Sequence, residues 1–289
     1  MEYFITIMLL TLTFIVKSNI IYMVIDVLLT IDIGNSNITM GIFEKDDLLF
    51  ISRLATDRKR TSDQYAVELL SILKLHNASC TGFSGAIISS VVPEVVGAVS
   101  DAVVTVTGVK PIVLSSDIGT GLKIVNGVTG QLGADLAVAS VAAIDKYPLP
   151  CLIIDLGTAT KIILIDENGT FLGCTISAGV RISMEALALK TSLLPTIDLK
   201  APATSIGTNT VDCIKSGTVF GTAAMLDGLT QRMEDEFGKE IKTTVATGGL
   251  AQDIVKCCSR QIVYNGNLIL EGLRNIFYRR ANKNERKNF

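Results

Sequence analysis

The sequence lacks several residues on which common enzyme chemistries depend. Its 289 residues include no tryptophan, only six prolines and a single histidine. A Ser-His-Asp or Cys-His mechanism would have to be built on His76, which follows a predicted helix over Asp63–Leu75 and is interpreted as an ordinary helix end. Walker A and G-x-G-x-x-G motifs are also absent, so P-loop and Rossmann nucleotide sites are excluded.

Charge is scarce and almost balanced. Charged residues make up 19% of the chain, the formal net charge is -2, and hydrophobic residues reach 48%. This composition excludes intrinsic disorder and argues against a polyanionic partner such as a nucleic acid. The basic run from Arg274 to Lys287 is therefore interpreted as a solvated helix end.

Cysteine usage indicates a reducing compartment. The six cysteines are scattered among hydrophobic residues, with no C-x-x-C pair among them. A closed zinc site is not expected, and the thiols are predicted to be reduced in a cytoplasmic protein. Catalysis in such a chain must depend on carboxylates, backbone dipoles and bound ions.

An apolar stretch precedes the first predicted strand. Residues 3–16 form it, and it is short for a membrane span, which needs about 20 residues. A signal peptide is disfavoured, because Glu2 stands in place of a positive n-region and no A-x-A-like cleavage site follows. We favour Met23 as the natural start, with residues 1–22 as an upstream translated extension; a membrane anchor is the alternative.

The most informative pattern is an internal repeat. Residues 27–43 form an apolar run, a glycine turn and a second apolar run, with Asp32 just before the turn. Residues 151–165 repeat this design, with Asp155 at the same point. Each copy is followed by a predicted helical region and a later strand that leads into a helix. Two similar α/β lobes that face each other across a cleft are therefore expected.

The repeated hairpin is suited to phosphate binding. Glycine in the turn lets backbone N–H groups approach phosphate oxygens, small polar side chains donate hydrogen bonds, and an aspartate can anchor a hydrated cation. An ordinary β-hairpin with good turn residues is the alternative. Two copies, each with an aspartate at the same point, favour the interpretation as a phosphate and cation site.

Six short motifs, which stand in a fixed order, resemble those of the type III pantothenate kinases. The similarity extends from Met23 to about Arg280, and the ordered set is far more specific than any one motif. The resemblance implies an α/β fold with two duplicated actin-like (ribonuclease H-like) lobes around a central cleft, at residues 23–145 and 146–289. The motifs are Asp32–Asn37, Ser89–Pro93, Gly133–Asp135, Asp155–Thr160, Ser177–Gly179 and Ala246–Leu250.

The resemblance also implies an activity. Members of this family phosphorylate pantothenate with ATP, in the first step of coenzyme A synthesis, and are typically dimers. They depend on a divalent and a monovalent cation. We therefore expect a cytoplasmic homodimer that uses ATP, Mg²⁺ or a similar divalent cation, and K⁺ or NH₄⁺.

Functional residues of the family can be carried over position by position. Asp135 would be the general base toward the primary hydroxyl of pantothenate, Asp155 would hold the monovalent cation, and Asp32 would hold the divalent cation through water. Thr158 is a further expected ATP contact. The predicted ATP phosphate loop consists of Asp32, Ile33, Gly34, Asn35, Ser36, Asn37, Ile38 and Thr39. The predicted substrate contacts are Asn126, Gly133, Ala134, Asp135, Leu136 and Thr210.

Asp135 also has a structural interpretation. It precedes a predicted buried helix over Leu136–Ile144, and aspartate is a favoured N-cap residue. Both interpretations place its carboxylate at a helix N-terminus, where the dipole favours the ionised form that a base requires. The resemblance favours catalysis.

The acceptor side departs from the family pattern. Asn126 stands where a tyrosine is usual, Thr129 where a proline is usual, and Leu136 where an arginine is usual. Loss of an arginine that binds an anionic group would remove about 1.5–3 kcal/mol of binding free energy. Lys161 replaces a usual threonine and Arg181 a usual apolar residue, so we hypothesise that one of these cations substitutes for the arginine.

These departures leave three functions open. The chain could be a pantothenate kinase with a rebuilt acceptor pocket, a kinase for another small hydroxylated acceptor, or a catalytically silent nucleotide-binding paralogue with a regulatory or accessory role. Retention of Asp32, Asp135 and Asp155 favours catalysis, because a silent paralogue does not need three carboxylates, whereas loss of the tyrosine and arginine favours the second or the third function.

Overall fold

The computed structural model describes residues 26–114, 120–125, 132–191, 194–195 and 197–285. The predicted extension over residues 1–22 and the predicted substrate contact Asn126 lie outside the described residues. Within these ranges the chain forms two sheets, with helices between them and on their outer faces. No helix in the described part of the chain has the length and apolar character required to cross a membrane.

The first sheet is built around the first predicted hairpin. Its strands have the order β3-β2-β1-β4-β5, in which β1, β2 and β3 are antiparallel neighbours, while β4 and β5 continue in parallel on the other side of β1. The elements are β1 (Val27–Ile33), β2 (Asn37–Glu44), β3 (Asp47–Ala55), α1 (Ser62–Leu75), β4 (Phe83–Ser90), α2 (Pro93–Thr107) and β5 (Ile112–Val113).

The second sheet repeats this topology and adds one strand. Its order is β11-β10-β7-β8-β9-β6, with β7, β8 and β9 antiparallel and the other strands added in parallel. The elements are β6 (Lys123–Ile124), α3 (Ala134–Lys146), β7 (Cys151–Leu156), β8 (Ala159–Ile165), β9 (Thr170–Ala178), α4 (Val180–Lys190), α5 (Thr210–Phe237), β10 (Thr243–Thr247), α6 (Ala251–Val255), β11 (Val263–Tyr264) and α7 (Leu268–Glu285).

The two sheets correspond strand for strand. The order β9-β8-β7-β10-β11 in the second sheet matches β3-β2-β1-β4-β5 in the first. Each central strand is apolar along most of its length because it is buried on both faces. The duplicated α/β architecture predicted from the two hairpins is therefore confirmed.

Two helices, α3 and α7, pack against each other between the sheets. Val138 of α3 and Leu273 of α7 belong to a buried cluster with Leu28 of β1. Ala139 of α3 belongs to a second buried cluster with Ile153 of β7. Helices α1 and α2 cover the outer face of the first sheet, and α5 and α6 cover that of the second. The division of the chain after residue 145 remains a prediction, because α7 contacts both sheets.

Local sequence signals explain where several helices begin. Thr61 and Gln64 form a capping box at α1, in which the Thr61 hydroxyl oxygen accepts from the Gln64 N–H at 3.4 Å and Gln64 Oε1 accepts from the Thr61 N–H at 2.9 Å. Helix α2 begins at Pro93, as its fixed φ favours. Asn209 caps α5 by accepting a hydrogen bond of 3.0 Å from the Asp212 N–H. The helices predicted at 63–75, 136–144 and 211–237 are confirmed.

Candidate active site

Asp32 and Asp155 occupy equivalent positions in the two sheets. Each is the next-to-last residue of a central strand, on the sheet face that is turned toward α3. Across the hairpin, Asp32 is paired with Thr39 of β2, whereas Asp155 is paired with Lys161 of β8. Because paired residues share one face of a sheet, the lysine side chain lies on the same side as Asp155.

Asp135 approaches the same region from α3. This helix begins at Ala134 and its N-cap is Gly133, so the interpretation of Asp135 as the N-cap residue is wrong. Asp135 lies in the first turn instead, and its Oδ1 accepts a hydrogen bond of 2.8 Å from the N–H of Leu136. A Cβ at position 133 would lie 2.6 Å from that Oδ1, so glycine is required there for the carboxylate to adopt this position.

Lys161 joins two of the three carboxylates. Its Nζ donates to Asp135 Oδ2 at 2.5 Å and to Asp155 Oδ2 at 3.0 Å, and the three side chains are only 15–16% exposed. Burial alone would lower the pKa of Lys161, but the charges of Asp155 and Asp135 outweigh it and raise that pKa. Burial raises the pKa of Asp155, and the lysine charge opposes this rise. Lys161 therefore links β8 to α3 through an ion pair with Asp135.

Asp32 lies apart from this ion pair but within reach of its charges. Its Oδ1 accepts a hydrogen bond of 2.5 Å from Ser89 Oγ on β4. Burial, as the largest cause, together with the charges of Asp135 and Asp155 raises the pKa of Asp32 to about 6, against the opposing effects of the Ser89 hydrogen bond and the Lys161 charge. Asp32 and Asp155 lie on the sheet faces that are turned toward α3, and Asp135 lies in the first turn of that helix, so the three carboxylates share the region between the sheets.

The two hairpin turns contact each other beside these carboxylates. Ser36 Oγ of the first turn and Thr158 Oγ1 of the second are 3.1 Å apart. Arg58 donates a hydrogen bond of 3.3 Å to Asn35 Oδ1, which brings a positive charge to the first turn. Residues 35–37 are exposed to solvent. The turns therefore form a polar, accessible rim to which both lobes contribute.

Each turn is supported by the chain that follows the third strand of its sheet. In the first lobe, Thr56 Oγ1 donates a hydrogen bond of 2.6 Å to the Gly34 carbonyl. In the second lobe, Gly179 lies so close to the turn that a Cβ there would be 2.2 Å from the Thr158 carbonyl oxygen. A side chain supports the first turn, and direct backbone packing supports the second.

Three predicted contact residues direct their side chains away from the cleft. Ile33 and Ile38 are 0% and 1% exposed and belong to the core under α1 and α2. Leu136, which stands at the family's arginine position, is 7% exposed and packs against the second sheet. A ligand could reach these three positions only through their backbone groups.

A cavity of about 990 Å³ opens beside the second hairpin. Its lining includes Thr160 of β8, Val180 of α4 and Met225 of α5. Thr210, a predicted substrate contact, also lines it, at the first residue of α5. Arg181 lines a different cavity, of about 290 Å³. Of the two cations that were considered as substitutes for the arginine, only Lys161 lies among the carboxylates.

The donor set of the site matches a hydrated cation better than a directly coordinated one. Within the described ranges, no group of three or more histidine, cysteine, aspartate or glutamate side chains is arranged to hold a metal ion. Mg²⁺ normally keeps several waters and binds through one or two carboxylates together with substrate phosphates, and Asp32 suits that mode. All six cysteines are free in the structure.

Sequence reasoning missed three contacts of the site. The hydrogen bond from Ser89 to Asp32 was not predicted, although the serine belongs to the family motif Ser89–Pro93 and is the parallel partner of Asp32 in the sheet. Thr56 and Arg58 were not predicted because they follow β3, and only the folded meander returns this segment to the first turn.

Comparison with known proteins identifies the family. A family model described as type III pantothenate kinase matches residues 28–232, which is more than half of the chain. The chain belongs to the type III pantothenate kinase family. The family predicted from the sequence motifs is thereby confirmed, and so is the class of reaction: ATP-dependent transfer of phosphate to pantothenate, in coenzyme A biosynthesis.

Curated type III pantothenate kinases resemble this member of the family over most of its length. The protein from Exiguobacterium sp. is 40% identical over 252 residues, which cover 87% of this chain and 98% of the relative. The protein from Finegoldia magna is 37% identical over 251 residues, which cover 86% of this chain and 96% of the relative.

Solved structures support the fold of this type III pantothenate kinase family member. A putative Baf family transcriptional activator from Campylobacter jejuni matches with a TM-score of 0.55 at 19% identity and covers 88% of this chain and 99% of its own. A putative 2-dehydro-3-deoxygalactonokinase from Sinorhizobium meliloti matches with a TM-score of 0.52 at 12% identity, over 86% and 95%. At these identities the similarity shows the fold alone, and it confirms the two actin-like lobes.

Proposed function

We propose that the chain transfers the γ-phosphoryl group of ATP to the primary hydroxyl of pantothenate, with Asp135 as the general base. One observation carries this proposal: carboxylates from β1, β7 and α3 converge beside two hairpin turns that contact each other through Ser36 and Thr158. Phosphoryl transfer mainly requires alignment and charge neutralisation, and fixed charges together with turn donors supply both.

The first hairpin turn is the proposed phosphate-binding element. Asn35, Ser36 and Asn37 are exposed and carry small polar side chains, and Arg58 adds a positive charge beside them. Thr158 would contribute from the second turn. Mg²⁺, when bound, neutralises phosphate charge, and Asp32 would hold it through water.

In this proposal, Asp135 orients the acceptor alcohol. Its two oxygens accept hydrogen bonds from the Leu136 N–H and from Lys161, and each oxygen has a second lone pair for the hydroxyl. The alcohol oxygen bonds to the γ-phosphorus, the bond from that phosphorus to the bridging oxygen of ADP breaks, and the hydroxyl proton passes to Asp135. Because the transition state is loose, Asp135 mainly orients the hydroxyl and accepts the proton late.

The 990 Å³ cavity beside the second hairpin is the proposed site for the end of pantothenate that is remote from the reacting hydroxyl, since Asp135 is not among its lining residues. Leu136 cannot replace the family's arginine, because its side chain is part of the core. Hydroxyl donors from Thr208 and Thr210 line the cavity at the start of α5, whose dipole favours an anionic group, whereas the Asn209 amide is bonded to Asp212. The two threonines would bind the anionic end of pantothenate.

The monovalent cation predicted at Asp155 does not fit this structure. Asp155 Oδ2 is already bonded to Lys161 Nζ at 3.0 Å, so an ammonium group holds the place at which a free ion would meet that oxygen. The proposed reaction therefore includes no step that depends on K⁺ or NH₄⁺.

We also propose that the chain is a homodimer. Several large apolar side chains between residues 176 and 211 are exposed, among them Leu189 at 82%, Ile206 at 80% and Ile176 at 65%. Such a concentration of exposed apolar side chains favours a protein interface. Light scattering on the full-length chain should give twice the monomer mass, and a monomer mass would contradict this proposal.

A coupled ADP-release assay on the full-length chain tests the catalytic assignment. With Mg²⁺ and pantothenate, Asp135→Asn should lower kcat by about 10²–10⁴, because it removes the general base. Asp101→Asn, an exposed aspartate of α2, is the matched control and should keep wild-type kinetics. Nucleotide binding without pantothenate-dependent turnover in the wild type would contradict the proposal and would support a silent paralogue.

A further inference from the structure

Lys161 departs from the family pattern and lies at the centre of the charge cluster. Its Nζ is 2.5 Å from Asp135 Oδ2 and 3.0 Å from Asp155 Oδ2. We propose that the Lys161 ammonium acts as a built-in monovalent cation, which replaces K⁺ or NH₄⁺ on Asp155 and makes turnover independent of free monovalent ions. This inference rests on the proposed function, because it concerns the charge balance of that same site.

The backbone of the second sheet fixes the position of Lys161. Lys161 is the antiparallel partner of Asp155 in the β7–β8 pair and of Ile176 in the β8–β9 pair. Its Cα is therefore held from both sides within the second sheet, not on a loop. An ion pair formed across a hairpin in this way is present before any ligand binds.

The chemistry of the lysine head matches that of the ion it would replace. A lysine side chain ends in an ammonium group with one bond to carbon, so it carries the same charge as NH₄⁺ and keeps three N–H donors. Two of these donors are used by Asp135 and Asp155. The third N–H can donate to a substrate oxygen. The lysine ammonium group can therefore supply the positive charge of the free ion, and no ion has to bind from solution.

The charge balance of the cluster also supports a built-in monovalent cation. Asp32, Asp135 and Asp155 carry three negative charges when ionised, and Lys161 carries one positive charge. The lysine thus neutralises one of the three carboxylate charges from within the protein. With threonine at position 161, that positive charge would have to come from a bound ion. The lysine therefore removes the demand for a monovalent ion.

Lys161 could instead replace the missing arginine at the acceptor. That role would require its positive charge to face the anionic end of pantothenate, whereas both observed contacts are with carboxylates of the protein. The two roles give different results in Lys161→Thr, which restores the usual family residue. Loss of an acceptor contact would raise only the KM for pantothenate, whereas loss of a built-in cation would create a response to K⁺ and NH₄⁺.

The first experiment measures ADP release at constant ionic strength in NaCl, KCl or NH₄Cl, with Mg²⁺ throughout. Wild-type rates should agree within about twofold, because general screening is the same in the three salts. Lys161→Thr should lose about 10²-fold in NaCl, as expected for removal of a fixed charge from an active site, and regain about tenfold in KCl or NH₄Cl. Lys242→Thr, which removes an exposed pair with Glu240, is the control and should behave as the wild type.

Thermal unfolding in the same salts provides a readout that does not depend on turnover. Lys161→Thr should show a higher Tm in KCl or NH₄Cl than in NaCl, because an ion that binds the folded state stabilises it. The wild type and the double variant Lys161→Thr/Asp155→Asn should show no such difference, since the first has its own cation and the second lacks the carboxylate.

The outcomes separate this inference from the proposed function. A wild-type rate that falls about tenfold or more in NaCl relative to KCl or NH₄Cl would overturn the inference, because a free ion would then be required as well. If the wild type shows no pantothenate-dependent turnover in any salt, the proposed function fails and the unfolding data decide alone. An ion-specific rise of Tm confined to Lys161→Thr would support the built-in cation; identical Tm values in the three salts for that variant would overturn it.

Discussion

The central hairpins of the two lobes share one backbone design but differ in one charge. In the first lobe Asp32 is paired across the hairpin with Thr39, whereas in the second lobe Asp155 is paired with Lys161. The first aspartate therefore has a neutral neighbour across the hairpin and is available to a hydrated cation. The second has its counter-charge within the chain. The two lobes thus differ in the residue opposite the aspartate and not in the backbone design.

The largest effect is expected when the charged partner of the second hairpin is removed. Lys161→Met should lower the free energy of unfolding by about 3–5 kcal/mol near neutral pH, because it leaves buried carboxylates without their cation. Thr39→Val, the matched change in the first hairpin, should cost less than about 1 kcal/mol. Urea unfolding in NaCl measures both, and equal losses in the two variants would refute the proposed asymmetry between the lobes.

Because the Asp32 carboxylate is buried and faces a neutral residue across the hairpin, the free energy of unfolding should depend on pH. The folded-state pKa of Asp32, about 6, lies above the ordinary 3.8, so the contribution of this residue to stability is fully present below about pH 4 and is lost as pH rises through 6. In metal-free buffer, Asp32→Asn should therefore be more stable than the wild type by about 3 kcal/mol near pH 7.5, and by almost nothing near pH 4. A difference in urea unfolding free energy that stays constant across this range would contradict the prediction.

A smaller effect is expected at the supports of the two turns. Gly179→Ala should cost about 1–3 kcal/mol, because its methyl group would overlap the backbone of the second turn. Thr56→Ala removes one hydrogen bond from the first turn and should cost about 1 kcal/mol. Thermal unfolding of the two variants measures the order, and a larger loss for Thr56→Ala would show that the first turn is the more constrained.

Much of the fold could be predicted because its signals are local. The hairpins around Gly34 and Gly157, the helix start at Pro93 and the long helix after Asn209 each depend on a few adjacent residues. The repeat of the Asp-x-Gly turn then indicated two lobes. Such features require no knowledge of which distant segments meet.

The site was predicted less completely because its contacts are non-local. The pairing of Asp155 with Lys161 follows from the hairpin alone, but the approach of Asp135 depends on α3 lying between the sheets. The N-cap prediction for Asp135 was wrong because Gly133 allows the helix to start earlier. Leu136 was aligned with an arginine by motif, although its buried position shares a helix face with Ala139.

The link from Lys161 to Asp135 has a consequence for the order of events in a catalytic cycle. It connects α3 to the second sheet, so the proposed proton acceptor and the proposed acceptor cavity both belong to that half of the protein. The first sheet contributes Asp32 and the exposed turn at residues 35–37. In the proposed cycle, the first sheet therefore has to bring the phosphates of ATP to an acceptor site that is already formed before the nucleotide binds.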